Sequence, residues 1–151
     1  MLHTEKREDY IMTDFWKNWL NLWSLAVTVF GAILALAAFA PTDGLARLVF
    51  ALFQNPMPSE IDMLHRFSIG LMGAVTMGWG MTLYVAFQAI HLADRAQAPR
   101  IWRNLTLAAL IWFGIDSGIS VATGYWLNAV SNTLFIALYL IPLLRTGAMR
   151  G

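Results

Sequence analysis

The chain has 151 residues, of which 58% are hydrophobic and only 13% charged, with a net charge of +1. Soluble domains carry about 25% charged residues, so this composition points to a membrane protein and away from a basic nucleic-acid surface. It contains no cysteine, which excludes disulfides, thiolate catalysis, zinc–thiolate sites and iron–sulfur ligation.

Residues 1–15 form a polar arm that mixes Lys6 and Arg7 with Glu5, Glu8 and Asp9. Thr13 and Asp14 are possible helix caps. Trp16, Trp19 and Trp23 then recur at helical spacing on entry to an apolar run, the usual pattern of an interfacial belt. The first span is placed at 17–40, because about 20 apolar residues cross a bilayer core. Ala38-Phe39-Ala40 resembles a cleavage site, but the run before it exceeds the about 7–15 residues of a signal-peptide core. Pro41 also suits a cleaved bond poorly, so an uncleaved helix is expected.

Pro41-Thr42-Asp43-Gly44 is a turn signal. The apolar segment after it carries Arg47 and is too short to span. It is read as an interfacial helix over 44–54. Ser59-Glu60-Ile61-Asp62 has the S-x-x-D form of a capping box ahead of a second span at 62–93. Gly70, Ala74 and Gly78, four residues apart, give that span a face without bulky side chains. In lipid such a face lets helices approach closely, so it is the expected contact for a homo-oligomer or a larger membrane complex.

A polar loop follows, with Pro99 placed for the first turn of a helix. The third span covers 101–123 and the fourth 125–144, separated by Gly124. Pro142 removes one backbone donor near the end of the fourth. The fold class expected is all-α, an integral membrane antiparallel four-helix transmembrane bundle with an interfacial helix between the first two spans. One domain over 16–146 and a tail at 147–151 complete the organisation.

Lys6, Arg7, Lys17, Arg95, Arg100, Arg103, Arg145 and Arg150 all belong to one side of this arrangement, against Arg47 and Arg66 on the other. The positive-inside rule then puts both termini in the cytoplasm, across a cell inner membrane.

Gly124 also locates the candidate site. Asp116 and Asn132 lie eight residues either side of it, Ser120 and Asn128 four, so each pair meets at matched depth in a hairpin. At 1.5 Å per residue, Asp116 is about 12 Å deep. A carboxylate there costs about 2.5–3.5 kcal/mol on insertion scales, so it should face the bundle interior and be paired. Arg66, at the outer start of the second span, is its natural charged partner. Against this contact, side chains lean toward their helix N-terminus, which tilts the two groups apart. Trp112 and Trp126 would wall a pocket above the carboxylate, and His65 sits beside Arg66. The plain alternative for the cluster is interhelical hydrogen bonding.

His65 and His91 are about 39 Å apart on one helix and cannot share a haem. No second His lies at i+3 or i+4, so no helical metal motif is present. Phosphate-binding, nucleophile-elbow and metalloprotease motifs are absent too. No catalytic residue, metal or cofactor is assigned.

Gly78-Trp79-Gly80 and the pattern W-F-x-x-D-S-x-x-S…G…N-x-x-x-N…P-L across the C-terminal half resemble small uncharacterised four-helix bacterial membrane proteins. The resemblance implies a bacterial cytoplasmic membrane and a four-helix bundle, and supplies no functional residue. Three readings of function follow. The first is a non-enzymatic accessory or self-associating subunit whose partners are the bilayer and other membrane chains. The second is a binder or carrier of a small lipophilic molecule in an outward pocket floored by Asp116. The third is a membrane enzyme with Asp116 as acid or base and Arg66 as its electrostatic stabiliser.

Overall fold

The computed structural model describes residues 12–53, 57–94 and 96–150. His3, Lys6, Arg7 and Arg95 lie outside the described residues. The described chain is all-helical: α1 (Asp14–Leu36), a 3-10 turn (Ala40–Thr42), α2 (Gly44–Leu52), α3 (Met63–Leu92), α4 (Ala98–Ala122) and α5 (Trp126–Thr146). Four of the five α-helices, α1, α3, α4 and α5, are long and apolar enough to cross a membrane.

The helix ends follow from local chemistry. Asp62 caps α3 by accepting from the His65 amide at 2.9 Å, so the cap is the last residue of the Ser59–Asp62 pattern rather than its serine. Pro99 stands in the first turn of α4, where its missing N–H costs nothing. α4 ends at Gly124, whose φ of +85° suits a residue without a Cβ. The Tyr125 amide donates to Ser120 O at 2.7 Å and that of Gly124 to Val121 O at 3.2 Å, the pair of bonds that defines a Schellman ending.

The helices form two tightly packed pairs, α1 with α3 and α4 with α5. A Cβ added at Gly80 would meet the Thr28 amide at 2.6 Å, and one at Gly70 would meet the Ala38 Cβ at 2.7 Å. Between these points Gly31 lies against Met77 and Gly73 against Ala35, backbone on backbone. The two helices therefore run past each other in opposite directions.

The seam on α3 is thus Gly70, Gly73, the backbone of Met77 and Gly80, at spacings of three and four. Of the expected face of Gly70, Ala74 and Gly78, only Gly70 lies in this seam. Strict four-residue spacing drifts around a helix of 3.6 residues per turn, whereas alternating three and four stays on one side. Gly70 is buried against α1, while Ala74 and Gly78 are exposed.

The pairs join at the end that carries Met12 and Ala148. Leu20, Trp23, Val27, Leu83, Phe87, Trp102, Ile136, Tyr139 and Leu143 form one buried core there. Trp23 lies 5.4 Å from Tyr139 and Phe87 5.5 Å from Trp102, ring centre to ring centre. Thr106 and Tyr139 share a buried hydroxyl hydrogen bond of 3.1 Å.

The expected tryptophan belt is revised accordingly. Trp23 is buried and its indole N–H donates to Phe135 O at 3.0 Å. Trp19 donates to Leu138 O at 2.9 Å. In a regular helix the amide four residues on would serve Leu138 O. That residue is Pro142, inside α5, which has no N–H. The Trp19 indole fills the vacancy from a different helix.

Candidate functional site

Because the bend is only the three residues 123–125, centred on Gly124, counting outward from Gly124 sets the register of α4 against α5. Asp116 Oδ1 accepts from Asn132 Nδ2 at 2.6 Å and from Asn128 Nδ2 at 2.8 Å. Asn128 Nδ2 also reaches Ser120 Oγ at 2.8 Å, and Ser120 Oγ donates to Asp116 O at 2.7 Å. Ser117 Oγ lies 3.4 Å from Asn132 Nδ2. Ser120 and Asn132 are buried, whereas Asp116 and Asn128 are half-buried. Two amides and a hydroxyl thus surround one carboxylate oxygen. The cluster ties α4 to α5.

Arg66 does not join it. Its guanidinium donates to Asp43 Oδ2 through both terminal nitrogens, each at 3.2 Å, and to Ala37 O at 3.2 Å. The expected Arg66–Asp116 contact is therefore corrected. α3 lies along α1 here rather than along α4, and the lean of Arg66 toward its helix N-terminus carries it to the chain leaving α1.

Arg47 completes a second polar cluster. Its Nη2 donates to Asp43 Oδ2 at 2.9 Å and its Nη1 to Pro58 O at 2.7 Å. Asp43 is only 6% exposed. The Arg47 hydrogen bond, followed by that of Arg66, holds its carboxyl below its ordinary value of 3.8 against the opposing effect of burial. One carboxylate thus fastens the end of α1, α2, the segment at Pro58 and the start of α3. Asp43 is the residue the sequence reading missed. Its signal was an Asp four residues before Arg47 on a helical segment, the spacing of a helical ion pair.

The remaining candidates are dispersed. His65 pairs with Asp62, its own cap. The backbone bond from His65, then its ring, lowers the Asp62 carboxyl below 3.8. Trp112 lies 5.0 Å from Trp79, ring centre to ring centre and tilted by 41°, where α3 meets α4. Trp126 is exposed. Two concavities stand out, and Asp116 lines neither. One, of about 440 Å³, lies among Phe50, Ile61, His65, Ile69 and Tyr125. The other, of about 560 Å³, lies between α1 and α3.

Among the described residues no group of three or more His, Cys, Asp or Glu could hold a metal ion. Searched against known proteins, the chain matches no family model, no curated protein and no solved structure. Its chemistry is therefore read from geometry alone. A half-buried carboxylate that accepts from two carboxamides, with serine hydroxyls beside it, ties α4 to α5.

Proposed function

We propose that the protein is a non-enzymatic integral membrane subunit, accessory to a larger assembly or self-associating. In this reading it forms an antiparallel four-helix transmembrane bundle in a bacterial cytoplasmic membrane, with α2 at the outer interface. Both termini are cytoplasmic. Lys17, Arg100, Arg103 and Arg145 at the core end, against Arg47 and Arg66 at the other, support that orientation.

One observation carries the reading. Asp116 and Arg66 are each held by hydrogen bonds inside the protein, Asp116 by Asn128 and Asn132, and Arg66 by Asp43. An intramembrane site that handled substrate would need such a group turned toward a cavity. Small positions left open on the exposed faces support association: Ala74 and Gly78 on α3, and Gly114 and Gly118 on α4, where an added Cβ at any of the three glycines would meet nothing within 4 Å.

The experiment is the molecular mass of the protein extracted from membranes in mild detergent, with and without cross-linking. Wild type should run as an oligomer or with a co-purifying chain, and Ala74→Leu or Gly118→Leu should reduce that species while leaving the helical content unchanged. A strictly monomeric wild type would remove the reading.

A further inference from the structure

On the lipid side of the α1–α3 pair, the seam is floored by small groups. At Gly80 the two backbones touch, and Ser24 and Thr28 lie beside it. Leu22 and Leu25 on α1, and Met81 and Val85 on α3, rise on either side, all more than half exposed. Between them is a hollow of about 560 Å³, within the about 300–1,000 Å³ of small-molecule sites. A flush helix pair would leave no such recess.

The mouth of this groove is polar. Gln88 Nε2 donates to Asn21 Oδ1 at 2.9 Å, which leaves the Asn21 amide its own two N–H groups to offer. One turn further out Lys17 forms an ion pair with Asp14 at 3.0 Å, and Asp14 is almost fully exposed. Lys17, Asn21, Ser24 and Thr28 follow at helical spacing on one face of α1. From Lys17 to Thr28 the distance is about 16 Å. That is close to one leaflet's half of an about 30 Å hydrocarbon core.

Charge, hydrogen bonding and apolar length thus succeed one another in the order found along a phospholipid. We infer that this groove binds one glycerophospholipid with a primary-amine headgroup. Its phosphate meets Lys17, its ammonium the Asp14 carboxylate and its ester carbonyl the Asn21 amide. One acyl chain lies over Ser24 and Thr28. The inference rests on the membrane-spanning reading above and adds a specific ligand to it.

The test uses full-length protein stripped of lipid in a maltoside detergent. It is titrated with phosphatidylethanolamine and, in parallel, with diacylglycerol of the same chains, and read by native mass spectrometry and thermal midpoint. One phosphatidylethanolamine should bind and raise the midpoint, at concentrations at least about tenfold below those of diacylglycerol, the worth of one of its two charge-assisted contacts. Lys17→Gln should remove about that factor, for the same reason.

Val85→Trp fills the groove from one rim and Leu25→Trp from the other. Either should abolish the bound lipid while the lipid-free circular dichroism stays that of wild type. Equal binding of both lipids, tighter binding of phosphatidylglycerol, or retention of lipid by both tryptophan variants overturns the proposal. Failure of the membrane reading looks different: the protein would leave carbonate-washed membranes and stay soluble without detergent.

Discussion

The bond from Trp19 to Leu138 O makes a prediction that can be worked through in numbers. Trp19→Phe keeps an aromatic ring but removes the N–H now 2.9 Å from that carbonyl. Because Pro142 has no amide to offer, the carbonyl is then left without a donor. An orphaned buried polar group costs about 1–3 kcal/mol, and hydrogen bonds between membrane helices average about 0.6 and reach about 1.7 kcal/mol. A loss of about 1–1.5 kcal/mol is expected, combining these ranges.

Pro142→Ala restores a helical donor to Leu138 O. In that background Trp19→Phe should cost far less. The coupling between the two substitutions is therefore about 1 kcal/mol, measured as a double-mutant cycle by reversible unfolding in mixed micelles. Trp23→Phe is the control, since Phe135 O receives the amide of Tyr139 in a regular helix as well as the indole. It should show no coupling to Pro142→Ala. Additivity of Trp19→Phe and Pro142→Ala within about 0.3–0.5 kcal/mol would refute the idea that the indole replaces the missing amide.

Three further outcomes are expected. Asp116→Asn should cost no more than about one interhelical hydrogen bond, about 0.6 kcal/mol, because no arginine depends on its charge. Asp116→Leu should cost more, since the amides of Asn128 and Asn132 lose their acceptor; equal losses in the two unfolding curves would contradict this. Gly73→Ala should destabilise by about 1–3 kcal/mol through overpacking against Ala35, whereas Gly114→Ala should be neutral or gain up to about 1 kcal/mol in helix propensity. Thermal midpoints of the two variants decide the point.

The Asp43 clamp predicts a pH dependence. Arg47 and Arg66 depress the folded carboxyl below its ordinary value of 3.8. The stabilisation is therefore complete above the unfolded value and is lost as pH falls through the folded one. Asp43→Asn should flatten the acid limb of a stability–pH curve and leave its neutral slope alone; an unchanged acid limb would sink the assignment.

Much of the fold was legible before any coordinates. Span length and apolarity are properties of contiguous sequence, so the four long helices could be read directly. The facing of Asp116 with Asn132 and Ser120 with Asn128 was legible for a similar reason. A three-residue bend centred on Gly124 leaves the two helices little freedom of register, and counting from Gly124 suffices.

What could not be read is which non-adjacent helix each face meets. Arg66 and Asp116 have opposite charge and compatible spacing, yet α3 turns its N-terminal end to the chain leaving α1, where Asp43 accepts from Arg66. The tryptophans of α1 look like a belt by spacing, but only the position of α5 reveals that two of them serve its carbonyls, one of them vacated by Pro142. Gly70, Ala74 and Gly78 are evenly spaced along the chain, while the rotation of α3 on α1 selects Gly70, Gly73 and Gly80. Sequence determined the helices and the one hairpin whose register is locked by its turn. Tertiary structure decided the rotations and neighbours of the rest, because side-chain packing between distant segments has several near-equivalent solutions and local sequence favours none of them.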